Sequence, residues 1–149
     1  MQRVIFRQCD EHSSYWGYLE KLFQSEWSDF KFNVSVSSNT DSEIAQLPPV
    51  IVVLRDNVVI GGLAYSHFQE PHQVNDAIWI NAVYVNSLWR GQGIASELIN
   101  RGVKQVSATT QSHLYVYTNV KALYQGLGWS VVDIESEPNH EVMSIALSS

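Results

Sequence analysis

Cysteine is nearly absent: Cys9 is the only one. A lone thiol excludes an intrachain disulfide and a cysteine-based metal cluster, and it fits a reducing compartment, so a cytoplasmic location is expected. Positive charge is also scarce. Nine Lys and Arg stand against fifteen Asp and Glu, for a formal net charge of −6. That balance disfavours nonspecific nucleic-acid binding and suits a cationic partner. No apolar run approaches the roughly 20 residues that span a bilayer. The start, Met1–Phe6 followed by polar Arg7, Gln8 and Asp10, lacks the apolar centre of a signal peptide. No repeat, linker or low-complexity stretch divides the chain. The expectation is one domain over residues 1–149, without metal, membrane or nucleic acid.

Apolar residues make up 45% of the 149, enough for a substantial core. Residues 3–8 read as a first strand. Asp10 is placed to cap a helix over 11–25, where Tyr15, Leu19, Leu22 and Phe23 recur at helical spacing. Residues 28–47 are less regular. Phe30, Phe32, Val34 and Val36 alternate like an exposed strand or line an irregular pocket wall, 37–41 signal a loop, and 41–44 start a short helix. Pro48-Pro49 ends that unit. Val50–Leu54, a tight turn at Arg55-Asp56-Asn57 and Val58–Ser66 form a hairpin. Gly61-Gly62 interrupts its second strand, which signals a bulge or close packing. A loop over 69–76 leads to a strand over 77–85. A helix over 92–106 carries Ile94, Leu98, Ile99, Val103 and Val106 on one face. A strand at 113–118, a helix at 120–127 ended by Gly128, and a hairpin of 129–134 with 141–147 complete the order. A mixed α/β sheet flanked by helices follows.

One stretch stands out. The strand through Val83 and Val85 runs by a short turn into Arg90-Gly91-Gln92-Gly93-Ile94-Ala95 at a helix start. Gly91 and Gly93 permit close backbone approach, and the helix start aims unpaired N–H groups and its positive dipole end outward. Local chemistry alone leaves two readings open: a phosphate cradle or an ordinary glycine turn. Val83 and Val85 share one side of their strand, as core residues would. Asn119 suits a helix N-cap, and Tyr124 suits helix-to-core packing.

The Arg90–Ala95 stretch, together with Asn119-Val120-Lys121-Ala122-Leu123-Tyr124-Gln125-Gly126-Leu127-Gly128-Trp129, resembles the two motifs of the GNAT family of N-acetyltransferases. The resemblance covers most of residues 50–147 and weakens before residue 48. It implies a GNAT-like, mostly antiparallel central sheet, and acetyl-CoA as acyl donor, with no metal. It also implies that Arg90, Gly91, Gln92, Gly93, Ile94 and Ala95 hold the pyrophosphate. Backbone groups at Val83 and Val85 pair with the pantetheine arm, and Asn119 lies near that arm. Tyr124 stands as hydrogen-bond donor or acid to the leaving thiolate.

Some members of the family have a glutamate where this chain has Asn81, which can orient water or substrate but cannot act as a general base. The other candidates for the amine's proton are His67, Glu70, His72, Asp76, His113 and Glu137, with His140 beside the last turn, and none has decisive spacing. The aromatic N-terminal region (Tyr15, Trp16, Trp27, Phe30, Phe32) with Glu20, Glu26 or Asp29 either shapes an acceptor pocket or forms a packed lid. The expected function is transfer of acetyl from acetyl-CoA directly to a primary amine on a small cationic acceptor. A noncatalytic acyl-CoA-binding module and a protein N-acetyltransferase are the alternatives. Homodimerisation stays open.

Overall fold

The computed structural model describes residues 4–30, 47–73 and 75–147. The expected alternation at Phe32–Val36, the loop over 37–41 and the short helix at 41–44 lie outside them. The elements are β1 (Ile5–Cys9), α1 (Ser14–Glu26), β2 (Val50–Arg55), β3 (Val58–Gln69) and β4 (Asp76–Val85). After a short 3-10 turn, Ser87–Trp89, come α2 (Ile94–Ser107), β5 (His113–Thr118), α3 (Lys121–Gly126), β6 (Ser130–Val132) and β7 (Glu141–Ala146).

The seven strands form one sheet in the order β1-β2-β3-β4-β5-β7-β6. Every neighbouring pair is antiparallel except β4 with β5. The expected mixed, mostly antiparallel sheet is therefore present. Strand alternation sends Cys9, Val52, Leu54, Ala64 and Ala82 to one face, where α1 inserts Leu19 and Phe23, one helical turn apart. The other face carries Leu63, Ile78, Leu114 and Met143 under α2, whose Leu98, Ile99 and Val106 are fully buried.

Local chemistry sets most boundaries. Asp56 (φ 53°) and Asn57 (φ 65°) turn the β2–β3 hairpin with left-handed backbones that these residue types tolerate. Asp10 does not cap α1. Its carboxylate accepts from His12 N at 2.9 Å and shapes the preceding turn, while the Ser13 hydroxyl accepts from Tyr15 N at 3.1 Å as the true N-cap. The expected loop over 69–76 is shorter, because β3 and β4 stay paired out to Gln69 and Asp76. Phe68 stands edge-on to Trp79 at 5.9 Å, and Trp79 Nε1 donates to the Gln69 carbonyl at 3.2 Å, which holds this extension together. Helix α2 starts two residues later than expected, at Ile94, because Gly93 has the left-handed backbone of a helix boundary.

The Gly61-Gly62 pair proves to be a site of close packing, next to a register shift between Val53 and Leu54. A Cβ on Gly61 would sit 2.4 Å from the Tyr84 carbonyl oxygen, and one on Gly62 would sit 2.6 Å from a Leu19 methyl. Gly61→Ala should therefore lower unfolding free energy by about 1–3 kcal/mol in a denaturant titration, as overpacking against rigid backbone does. An unchanged midpoint would contradict this strand spacing.

Candidate active site

The two central strands stay together for only a short distance. β4 and β5 are in register at Trp79 with Tyr115 and at Ile80 with Val116. Between β3 and β4 the register shifts at the same level: Tyr65 faces Ile80, Ala64 faces Ala82, and Asn81 is the extra residue of a bulge. Bulges bend a strand and re-aim a side chain. Beyond Asn81, β4 keeps β3 as a neighbour and parts from β5.

A cavity of about 430 Å³ fills the wedge. Val83, Val85, Arg90 and Ala95 line it from the β4 side, and Val116, Asn119, Leu123 and Tyr124 from the β5 side. Glu26, Trp27, Tyr117 and His140 also line it. Tyr84 and Ala82 pack with the α1-side core, whereas Val83 and Val85 pack with the α2-side core. The wedge thus passes between the two faces of the sheet.

The glycine loop is built from its flanks. Asn86 N donates to the Ile60 carbonyl at 2.7 Å, and the Asn86 side chain accepts from Leu88 N at 3.0 Å, starting the 3-10 turn. The Arg55 guanidinium lies 5.4 Å from the centre of the Trp89 ring. Arg90 Nε donates to the Val85 carbonyl at 2.8 Å, and its guanidinium lies over the Tyr84 ring at 5.7 Å. This arginine ties the loop to the end of β4 as well as carrying charge. Gly91 (φ 80°) and Gly93 (φ 82°) occupy the left-handed region, where other side chains are strained.

No side chain caps α2. A Cβ at Gly91 or Gly93 would meet nothing within 4 Å, so the space outside the loop is open. The helix presents first-turn amides and its positive end to that space. Gly91, Gln92 and Gly93 are exposed, Ile94 anchors the turn in the core, and Ala95 reaches the cavity.

Tyr124 is buried, with 4% of its surface exposed, and its ring meets Trp129 edge-on at 5.1 Å. Burial pushes its phenol above the usual tyrosine range. Burial thus favours the protonated phenol, which has an O–H to donate. Asn119 is exposed at the cavity wall and is not the helix cap: Val120 occupies the N-cap position, and its N–H donates to the Thr118 hydroxyl at 3.0 Å. Asn81 borders the wedge and a smaller pocket containing Trp27, Asp29 and Phe30.

The candidate bases separate. His67, Glu70 and His72 line a neighbouring cavity, and Asp76, His113 and Glu137 line neither it nor the wedge. Burial lowers the affinity of His67 for a proton, opposed by Asp76, and its Nε2 is enclosed without a hydrogen-bond partner. Cys9 is buried at 2% exposure on the α1 side, and burial pushes its thiol up, which removes it as a nucleophile. Tyr15 and Trp16 pack against the α1-side core, Phe30 is within it, and Phe32 lies outside the described residues. No cluster of three or more His, Cys, Asp or Glu suited to a metal occurs among the described residues. None of the described helices is long and apolar enough to cross a membrane.

The residue that sequence reasoning undervalued is His140. Its ring stacks on Tyr117 at 5.1 Å, and the Tyr117 hydroxyl accepts from Glu137 N at 3.0 Å. His140 Nδ1 lies 3.0 Å from the Pro138 carbonyl oxygen. A carbonyl only accepts, so Nδ1 carries the proton in neutral imidazole and Nε2 keeps its lone pair. The alternation of His113, Tyr115 and Tyr117 was a signal that Tyr117 faces the α1 side. The position of His140 depends on the β5–β7 register, which no local pattern reports.

The family model described as "Acetyltransferase (GNAT) family" matches residues 14–129. No curated protein sequence matches the chain. Among solved structures, the chain resembles the GNAT family N-acetyltransferase YhbS from Escherichia coli in complex with CoA. That match has 18% identity and a TM-score of 0.70, covering 99% of this chain and 83% of the other. It also resembles yncA, a putative acetyltransferase from Salmonella typhimurium with acetyl-CoA (14% identity, TM-score 0.69, 99% and 95% covered). A third is a ribosomal-protein-alanine N-acetyltransferase from Brucella melitensis (16% identity, TM-score 0.67, 96% and 99% covered).

The tautomer of His140 is directly observable. Long-range ¹⁵N–¹H NMR spectra of the neutral ring should show Nδ1–H and an unprotonated Nε2. The Nε2–H tautomer would contradict the bond from Nδ1 to the Pro138 carbonyl.

Proposed function

The chain belongs to the GNAT acetyltransferase family, and on that premise we propose that it passes an acetyl group from acetyl-CoA directly to a primary amine on a small cationic acceptor. Acetyl-CoA supplies an activated thioester, and the rest of the chemistry belongs to this chain's residues. The observation that carries the reading is the wedge itself. It combines an unpaired strand edge, an uncapped helix start and a buried phenol in one cavity.

These features fit a long anionic thioester ligand. The amides of Gly91 to Ala95 suit a pyrophosphate, with Arg90 adding charge and rigidity. Val83 and Val85 offer backbone groups on the edge of β4 that has lost β5. Asn119 stands on the opposite wall. An N–H on this edge of β4 is available to the developing oxyanion.

The amine must lose a proton before its lone pair can attack. We assign that proton to Nε2 of His140, with Asn81 orienting the amine or a bridging water. The new C–N bond forms as the C–S bond breaks. The Tyr124 hydroxyl donates its hydrogen bond to the departing sulfur. Because burial holds this phenol strongly protonated, its part is stabilisation of the thiolate, with any proton it gives promptly regained. With Cys9 buried away from the wedge, no covalent acyl-enzyme is needed.

CoA release measured across a broad amine panel, paired with acetyl-CoA titration, tests the reading. Amine-dependent release supports it, whereas binding without release from any amine or peptide amino terminus would favour a noncatalytic module. Gly93→Val should weaken acetyl-CoA binding about tenfold, because strain of roughly 1–3 kcal/mol displaces the loop; unchanged affinity would sink the loop assignment. Tyr124→Phe should lower kcat roughly 10²-fold with acetyl-CoA affinity retained, in the range of a lost transition-state donor. Normal turnover would remove its role.

A further inference from the structure

A second cavity, of about 710 Å³, opens beside the wedge and shares Ile80, Asn81 and Tyr117 with it. That volume lies in the range of small-molecule sites, roughly 300–1,000 Å³. It is built from the extension of the β3–β4 ladder beyond the bulge, the turn at 70–73, and Ile134 and Glu135 before β7.

Three large apolar side chains that water would reach converge on it: Phe68 (63% exposed), Tyr117 (43%) and Ile134 (37%). Its aromatic wall is braced by several contacts. Trp79 is held by the Gln69 carbonyl, by Phe68 edge-on at 5.9 Å and by Tyr115 at 5.2 Å. Two carboxylates, Glu70 and Glu135, border the space, and none of the residues lining it is Lys or Arg.

We propose that this cavity seats the body of the acceptor and selects a primary amine carried on an aromatic group without a carboxylate. The proposal rests on the transferase reading above and deepens it. The shared residues place the amine end beside Asn81 while the ring lies along Phe68 and Trp79. An aromatic body buries the exposed apolar surface and gains ring–ring contact. Glu70 and Glu135 favour the ammonium form on approach. An amino-acid acceptor would bring a carboxylate towards two others with no Lys or Arg to meet it. A polyamine would satisfy the carboxylates but leave the aromatic wall largely uncovered.

Steady-state rates at saturating acetyl-CoA for 2-phenylethylamine, spermidine, glutamate and a short peptide test the selection. The expected order puts 2-phenylethylamine first in kcat/KM. Phe68→Ala should raise its KM by about three- to tenfold with kcat changed less than about twofold, the size of one aromatic contact. Ile134→Ala should act in the same direction, so a folding defect in one variant leaves the test intact. Tyr18→Ala, which removes an exposed aromatic outside both cavities, should leave KM unchanged. Preference for spermidine, glutamate or peptide, with turnover intact, would overturn the acceptor class and leave the transferase reading standing. If no amine turns over, calorimetric titration of 2-phenylethylamine into the CoA-saturated protein decides. Binding that Phe68→Ala weakens supports the seat while the transfer chemistry fails, and absence of binding overturns the seat.

Discussion

β4 and β5 share only two register pairs before they separate, and the arrangement of the site depends on that separation. A parallel pair needs a long crossover, here the whole of α2. The bulge at Asn81 bends β4 away from β5 where the ladder ends. The unpaired backbone that results would be a liability at an ordinary sheet position, because buried amides and carbonyls require partners. In a wedge open from one face of the sheet to the other, the same groups become available to a ligand. The strong ladders on either side, β3 with β4 and β5 with β7, hold the gap open.

The glycine loop expresses the same logic at a helix end. A Ser or Asp cap would have satisfied the first amides of α2 internally. Gly93 instead turns the chain with a left-handed backbone and no capping side chain, so no side chain at the cap takes up those donors. The loop is nevertheless tied on both sides, by Asn86 to Ile60 and by Arg90 to Val85. Fixed donors stabilise an incoming charge without first being reorganised. Tyr124 shows the complementary use of burial, since a phenol kept neutral can only donate to a nearby developing anion.

Features with local causes could be read from the sequence. Asp56-Asn57 marked the hairpin, Gly93 and Gly128 marked helix boundaries, and the apolar stripe of α2 marked its buried face. The glycine loop and Tyr124 were likewise visible, through the motifs that carry the family resemblance. Choices between two competent neighbours were not: Asp10 and Ser13 can both cap, yet Ser13 caps α1, and Asn119, also a competent cap, stands at the cavity wall instead. The parts of the site that depend on register were hidden as well. Asn81 becomes the bulge residue only through the pairing of β3 with β4, and His140 meets Tyr117 only through the pairing of β5 with β7. The second cavity is assembled from stretches between Ser66 and Val142 that lie far apart in the chain, so no window of sequence contains it.

On the proposed reading, the opened strand edge and the uncapped helix start hold one extended thioester ligand. Mapping amide resonances during acetyl-CoA titration tests it most directly. The largest shifts are expected at Gly91 to Ala95 and along Val83 to Val85, together in one saturable transition. Shifts confined to residues outside the wedge, or no perturbation at those amides at saturation, would contradict it.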